Sequence, residues 1–405
     1  MAGPFYLDTA RLGLISPGAA AAYRDFVGLA GEEGLSLYAE EFLRYGEVAL
    51  TADHRHQFPG LKTWPGIAGL RAGLADAVHS PPGLPVLLAS RSVALMRLAA
   101  RLLFRFCRNV LATDFSWPHY AQILAAEAAR TGNRVTVVPL RAAVFRDGAT
   151  AGELAARIAD VALREMCDGL FLPAVSHDGV ALPAAEMVRT AERVSEVRFV
   201  VIDGAQAFCH IPVDLSGGWC DLFLAGCHKW LGAYHPLGLA FCGRNSSADA
   251  IRTAALRPHY DGGTDDPLLS LLAAFETGEL EGFGETVNTG PLFSCSGALH
   301  DLGRRGGAYA IGMSAAANGE HLRDAARDAG WSLECVDWSL RTGIALVRPR
   351  SPSSHIGANA LRGSLARHGI AASVYDDHTV RLSAQRDRPA AADLDRLTAA
   401  LRAAG

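Results

Sequence analysis

Of the 38 basic side chains in this 405-residue chain only two are lysines, Lys62 and Lys229. Lys229 lies in GCHKWLG, residues 226–232, between the apolar run DLFLAG and the pair Trp230-Leu231. Among apolar neighbours an ammonium loses hydration, its pKa falls and the freed amine attacks carbonyl carbon, whereas a guanidinium stays charged and is no nucleophile. An exposed surface lysine is the alternative, and the apolar flanks weigh against it. The apolar run RFVVID ends in Asp203, 26 residues before Lys229. That spacing suits a loop plus one strand, which would bring both groups to one edge of a sheet. An acid and an imine-forming lysine at neighbouring strand ends are what pyridoxal phosphate needs. The acid keeps the ring nitrogen protonated so that the ring draws electrons, and the lysine carries the aldehyde. Such a cofactor also needs an anion site, a flat partner for its ring and a cation for a substrate carboxylate.

The elements that would position these groups are legible as alternating apolar runs and amphipathic segments. Strands are predicted at 84–89, 109–114, 134–140, 169–175, 198–203, 221–226 and 237–243, with helices at SVALMRLAARLLFRF, HYAQILAAEAARTG and TAGELAARIADVALREM. Near-continuous apolar strands separated by helices predict an α/β chain with a mostly parallel seven-stranded sheet covered on both faces, and ligands gather at the carboxyl ends of such strands. The last hundred residues read differently. WSLECVDW, TGIALVRPR and SVYDDHTVRLSA predict strands, and EHLRDAARDAG, GANALRGSLARHG and AADLDRLTAALRA predict helices. This predicts a small C-terminal α+β domain. The expected organisation is an N-terminal arm (1–20), a large domain (21–300) and a small domain (301–405), with the boundary in the turn-rich stretch NTGPLFSCSG and the glycines of GRRGGAYAIG.

Composition narrows the function classes. Half of the residues are apolar, a fifth are charged and the formal net charge is −4, so there is no basic field for nucleic acid. The longest apolar stretch is interrupted by Arg91, Arg97, Arg101 and Arg105, which argues against a membrane span, and the N-terminus has no secretory pattern. A cytoplasmic protein is expected. The eight cysteines form no C-x-x-C pair and no zinc spacing, and read as reduced core thiols; no metal is expected. The G-x-G-x-x-G of nicotinamide enzymes and the G-x-S-x-G of serine hydrolases are absent from the sequence.

VVIDGAQAFCHIPVDL followed by DLFLAGCHKWLG resembles the signature of the class-V aminotransferase superfamily of pyridoxal-phosphate fold type I, which includes cysteine desulfurases, kynureninases and isopenicillin N epimerase-like enzymes. The acid, the glutamine three positions later, the H-x-P-x-D segment and the H-K pair match in order, and CHKW is most similar to the epimerase-like branch. The resemblance extends over nearly the whole chain, from YLDTARLGLISPG onward. It implies Lys229 as the Schiff-base lysine and Asp203 as the partner of the ring nitrogen. It implies Ser90, Arg91 and Ser92 at the strand-to-helix turn that receives phosphate, although Ser90 also reads as a plain helix cap. Trp117 takes the ring-stacking position. Gln206 and His177 fall where relatives contact the phenolic oxygen, and His228 where they reach the phosphate. Gly263 and Thr264 match a segment that crosses to the neighbouring subunit's phosphate, implying a homodimer with shared active sites; a glycine turn capped by Thr264 is the other reading. Arg381, in TVRLSAQRDRP, takes the position that clamps the substrate α-carboxylate.

Two positions depart from the pattern. Gly226 stands where relatives have serine or asparagine, and Arg91, where they have a small residue, reads either as a compensating phosphate contact or as a contact to an acidic part of the substrate. Between Cys335 and Arg381 there is no cysteine to serve as a desulfurase nucleophile. The expected function is an aminotransferase-like enzyme acting on an amino acid or amino-bearing metabolite. Epimerase or carbon–sulfur (β-elimination) lyase activity is the alternative within the superfamily, and a non-catalytic binding protein on the same fold is the alternative outside it.

Overall fold

A computed structural model describes residues 3–34, 40–256, 265–280, 283–334, 336–350, 357–384 and 386–404. The chain opens with a two-residue strand, β1 (Phe5–Tyr6). All seven strands read from the sequence then form, as β2 (Val86–Ala89), β3 (Asn109–Thr113), β4 (Arg134–Val138), β5 (Gly169–Pro173), β6 (Phe199–Asp203), β7 (Leu222–Gly226) and β8 (Gly238–Cys242). They make one sheet in the order β2-β8-β7-β6-β5-β3-β4, parallel except for β8, which runs antiparallel to both neighbours.

The two faces of this sheet are covered by different helices, which is why its strands are buried along their length except β4 at one edge, where Arg134 and Val137 are exposed. Leu87, Val110, Phe171, Val201 and Leu224 pack with Leu95, Leu98, Leu102 and Leu124 of helices Ser92–Phe106 and Pro118–Thr131. Leu88, Leu111, Leu170, Ile202 and Phe223 face the other way, towards Leu154, Ile158 and Met187 of helices Ala151–Arg164 and Ala184–Glu192. Local signals fix the helix ends. Thr150 and Glu153 form a reciprocal capping box, and Gly132 ends Pro118–Thr131 in a left-handed conformation.

The C-terminal part has its own apolar cluster and a four-stranded sheet, order β12-β13-β10-β9. Its strands are β9 (Ser332–Leu333), β10 (Ile344–Arg348), β12 (Ser373–Val374) and β13 (Val380–Ser383), while β11 (Ile370–Ala371) pairs in parallel with β1. Phe5 and Leu7 belong to this cluster, so the N-terminal arm is part of the small unit's core before it crosses to the large one.

Two local expectations are corrected. SVYDDHTVRLSA is a hairpin rather than one strand, because His378 adopts φ 65 and the Asp377 carboxylate accepts the Thr379 N–H, closing a turn between β12 and β13. The stretch around NTGPLFSCSG is not a turn-rich boundary; it opens helix Gly290–Arg304, with Pro291 in the first turn, where its missing N–H costs nothing. Its small residues serve packing: a Cβ on Gly297 would lie 2.3 Å from the Gly18 carbonyl oxygen of helix Pro17–Glu33. Among the described residues, no helix is long and apolar enough to cross a membrane.

Candidate active site

Asp203 is the last residue of β6 and pairs in register with Leu224 of the adjacent parallel strand β7, five residues before Lys229. Both side chains reach one cavity of ≈ 280 Å³ at the carboxyl edge of the sheet, together with Ser92, Trp117, His177, Gln206, His228 and Arg381. Residues more than 280 positions apart thus converge on one small volume.

Burial sets the electrostatics. It pushes the Lys229 amine down from 10.5 to about 8, with Asp203 pulling the other way and Arg381 adding to the depression. Burial also raises the Asp203 carboxyl, opposed by the Ala205 N–H at 3.0 Å and by Lys229. His228, next to the lysine, is pushed down to about 4 by burial and then by Lys229, so its ring is neutral. With a pKa near 8 rather than 10.5, the Lys229 amine is available at neutral pH. We therefore expect reductive trapping of pyridoxal phosphate on the apoprotein to rise with pH through a midpoint near 8; a midpoint above 10 would show a solvated lysine instead.

The lysine turn is held from outside by the N-terminal arm. Gly13 N–H donates to the His228 carbonyl at 2.9 Å, and Ser16 N–H to the Gly232 carbonyl at 2.9 Å. A Cβ at Gly13 would lie 1.8 Å from the Lys229 carbonyl oxygen, so only glycine allows this approach. At Gly226, the departure noted in the sequence, a Cβ would stand 3.3 Å from Cε1 and 3.4 Å from Nδ1 of His228, close to ordinary contact.

Gln206 lines the cavity with its amide already oriented. Its Oε1 accepts from Trp230 Nε1 at 2.9 Å, and its Nε2 donates to the Ala10 carbonyl at 2.7 Å. Because indole nitrogen is only a donor, the amide orientation is fixed, leaving one N–H for a further acceptor. Trp117 is 47 % exposed and meets the His177 ring edge-on, with centroids 5.4 Å apart. Arg381, on β13, is 6 % exposed; Nη1 donates to the His177 carbonyl at 3.3 Å and Nη2 to Ser373 Oγ at 3.3 Å.

Two expected phosphate contacts lie elsewhere. Ser90 does not line the cavity: its N–H and hydroxyl donate to the buried Asp266 carboxylate, which also caps helix Pro267–Thr277. Arg91 is exposed and lies off the cavity wall. Ser92 and Val93 do line it, at the start of a helix that has no side-chain cap, so first-turn N–H groups are available to an anion. Gly263 and Thr264 lie outside the described residues. Tyr120 and Phe115, which no sequence motif marks, also line the cavity. Tyr120 OH donates to Ser92 Oγ at 2.9 Å, and burial, then Asp203, raises its pKa. Their signal was position, since they flank Trp117 in the same strand-to-helix segment.

Three buried polar atoms on residues of this cavity, His177 Nδ1, His228 Nδ1 and Arg381 Nε, have no hydrogen-bond partner among the described residues. Buried polar groups are normally paired, so such a concentration marks a ligand site. A depressed lysine, a buried acid, an uncapped helix start and an aromatic face fit pyridoxal phosphate group by group.

Comparison with known proteins agrees. Residues 96–250 match the family model for aminotransferase class-V. Among solved structures, the cystine C–S lyase C-DES in complex with its product cysteine persulfide superposes with a TM-score of 0.73 at 19% identity, covering 99% of this chain and 98% of that one. A cysteine desulfurase from Escherichia coli gives 0.71 at 17% (99% and 94% covered), and the ureidoglycine–glyoxylate aminotransferase of Bacillus subtilis 0.69 at 13% (100% and 93%). No curated protein matches the sequence. The match to aminotransferase class-V thus covers the segment that carries Asp203 and Lys229, and the fold of the whole chain is that of these solved structures.

Proposed function

We propose that this protein is an aminotransferase-like enzyme that takes an amino acid or amino-bearing metabolite, with Lys229 as the cofactor lysine and the proton carrier at the substrate α-carbon. The observation that carries this reading is the convergence of Lys229, Asp203 and Arg381 on a cavity of ≈ 280 Å³. When bound, pyridoxal phosphate supplies an aldehyde for amines and a ring that accepts electron density from the α-carbon. The residues do the rest. Asp203, buried and disfavoured as a lone anion, gains from a cation at the ring nitrogen's position. Ser92 and Val93 N–H groups and His228 would hold the cofactor phosphate, and Trp117 would offer a flat surface to the ring. Arg381 would hold a substrate carboxylate, and the Lys229 amine would take up and return a proton at the substrate α-carbon.

The likeness to C-DES, whose structure is described as that of a cystine C–S lyase, gives elimination standing as a second reading. Epimerisation uses the same groups. We further propose a homodimer in which residues near 263–264 complete the neighbouring site. The test is incubation of the loaded protein with a panel of amino acids. Keto-acid formation that depends on an added keto-acid acceptor supports transamination, whereas pyruvate or sulfide release supports elimination. Solvent deuterium at the α-carbon with inverted configuration supports epimerisation. A protein that takes up no cofactor would favour a binding role instead.

A further inference from the structure

Resting on that reading, we propose that His210 is a positioning residue that fixes the spacing between Lys229 and Arg381, and with it the length of the amino–carboxylate pair the site accepts. His210 is fully buried and belongs to the H-x-P-x-D segment, away from the cavity. Its Nε2 accepts the Gly343 N–H at 3.0 Å, so Nδ1 carries the proton and donates to the Gln206 carbonyl at 2.6 Å. Its ring stacks on Trp230, the neighbour of Lys229, with centroids 3.5 Å apart and planes 7° from parallel. One imidazole therefore touches the lysine turn on its face, the Gln206 segment at one nitrogen and the small unit at the other.

The Gly343 end leads directly to the arginine. Its carbonyl accepts the Ala384 N–H at 2.7 Å, and Ile344 pairs with Ser383, two residues along β13 from Arg381. Thr342 Oγ1 donates to the Gly179 carbonyl at 2.7 Å, next to the His177–Asp178 segment whose His177 carbonyl receives Arg381 Nη1. Glycine at 343 is required, because a Cβ would stand 2.9 Å from His210 Nε2 and 2.8 Å from the Ala315 carbonyl oxygen. Burial pushes the His210 pKa to about 3, so the neutral form with an accepting Nε2 persists across the working range.

Three variants separate the contacts. H210F keeps a flat ring against Trp230 but strands the Gly343 N–H; H210Q places Oε1 near the Nε2 position and can accept from Gly343; H210N reaches only towards Gln206. We expect propionate, a carboxylate probe of Arg381, to bind H210F about 10-fold more weakly than wild type, because the stranded Gly343 N–H turns to another acceptor and carries the adjoining β13 segment with Arg381 out of place. KM for a turned-over amino acid should rise by a similar factor with kcat less affected, and pyridoxal phosphate content should be unchanged. H210Q should recover most of the loss and H210N should not. Should H210F fail to fold, the difference between H210Q and H210N decides. Unchanged propionate affinity in H210F, or equal loss of propionate and cofactor binding in all variants, would overturn the proposal. A chain that binds propionate in a His210-dependent way but takes up no cofactor would overturn the functional reading alone.

Discussion

Lys229→Ala lowers turnover by roughly 10²–10⁴-fold, the scale of a positioned acid–base group, and borohydride no longer fixes cofactor to the protein. The fold survives the change. The amine is held in surroundings that already disfavour its charge, so removing it relieves a desolvated cation rather than breaking a strong ion pair. Melting temperature should therefore stay close to wild type, which separates lost chemistry from lost structure. Lys229→Arg should be as inactive as the alanine variant, because guanidinium remains charged and attacks no carbonyl. This is the physical content of a lysine surviving in a chain that otherwise uses arginine. Turnover within 10-fold of wild type in either variant would mean that another group carries the cofactor.

Lys229 and Asp203 were legible in the sequence because both sit at ends of apolar runs, where an α/β sheet leaves polar groups facing a ligand. The strands were legible for the same reason, all but the edge strand β4 being buried on both faces. Helix Pro17–Glu33 was not, since its alanine-rich sequence GAAAAY shows little contrast between faces and its role is fixed by contact with Gly290–Arg304 far along the chain. The family resemblance implies a phosphate contact for Ser90, whereas its local sequence reads as a plain helix cap. The partner that takes its N–H, Asp266, is 176 positions away, and no local pattern announces it. Gln206 lines the cavity, but its orientation depends on Trp230 and Ala10, contacts that only the folded backbone creates. The hairpin at 373–383 was missed because Tyr-Asp-Asp-His reads as polar residues of an edge strand until the left-handed conformation at His378 turns the chain.

Arg381→Gln should raise KM for an amino acid by about 10–100-fold with a smaller change in kcat. The lost term is a charged hydrogen bond to a carboxylate, about 1.5–3 kcal/mol, and a factor of ten corresponds to about 1.4 kcal/mol. It belongs to the bound state and the transition state alike, so it is seen chiefly in KM. Arg381 is already arranged to hold such a group, since Nη1 and Nη2 are tied to the His177 carbonyl and Ser373 Oγ, while Nε is buried without a partner among the described residues. Asp8 lies 3.5 Å from Nη2 but is also bonded by Ser373 Oγ at 2.6 Å, so it orients the guanidinium without saturating it. Arg381→Lys should restore only part of the affinity, because an ammonium cannot hold a planar carboxylate through two parallel N–H bonds. The decisive measurement compares an amino acid with the amine that lacks its carboxylate. Wild type should prefer the acid by the factor that Arg381→Gln removes, and the two substrates should converge in the variant. Equal losses for both would show that Arg381 supports the fold of β13 rather than the substrate, and would leave the orphaned Nε without a ligand to explain it.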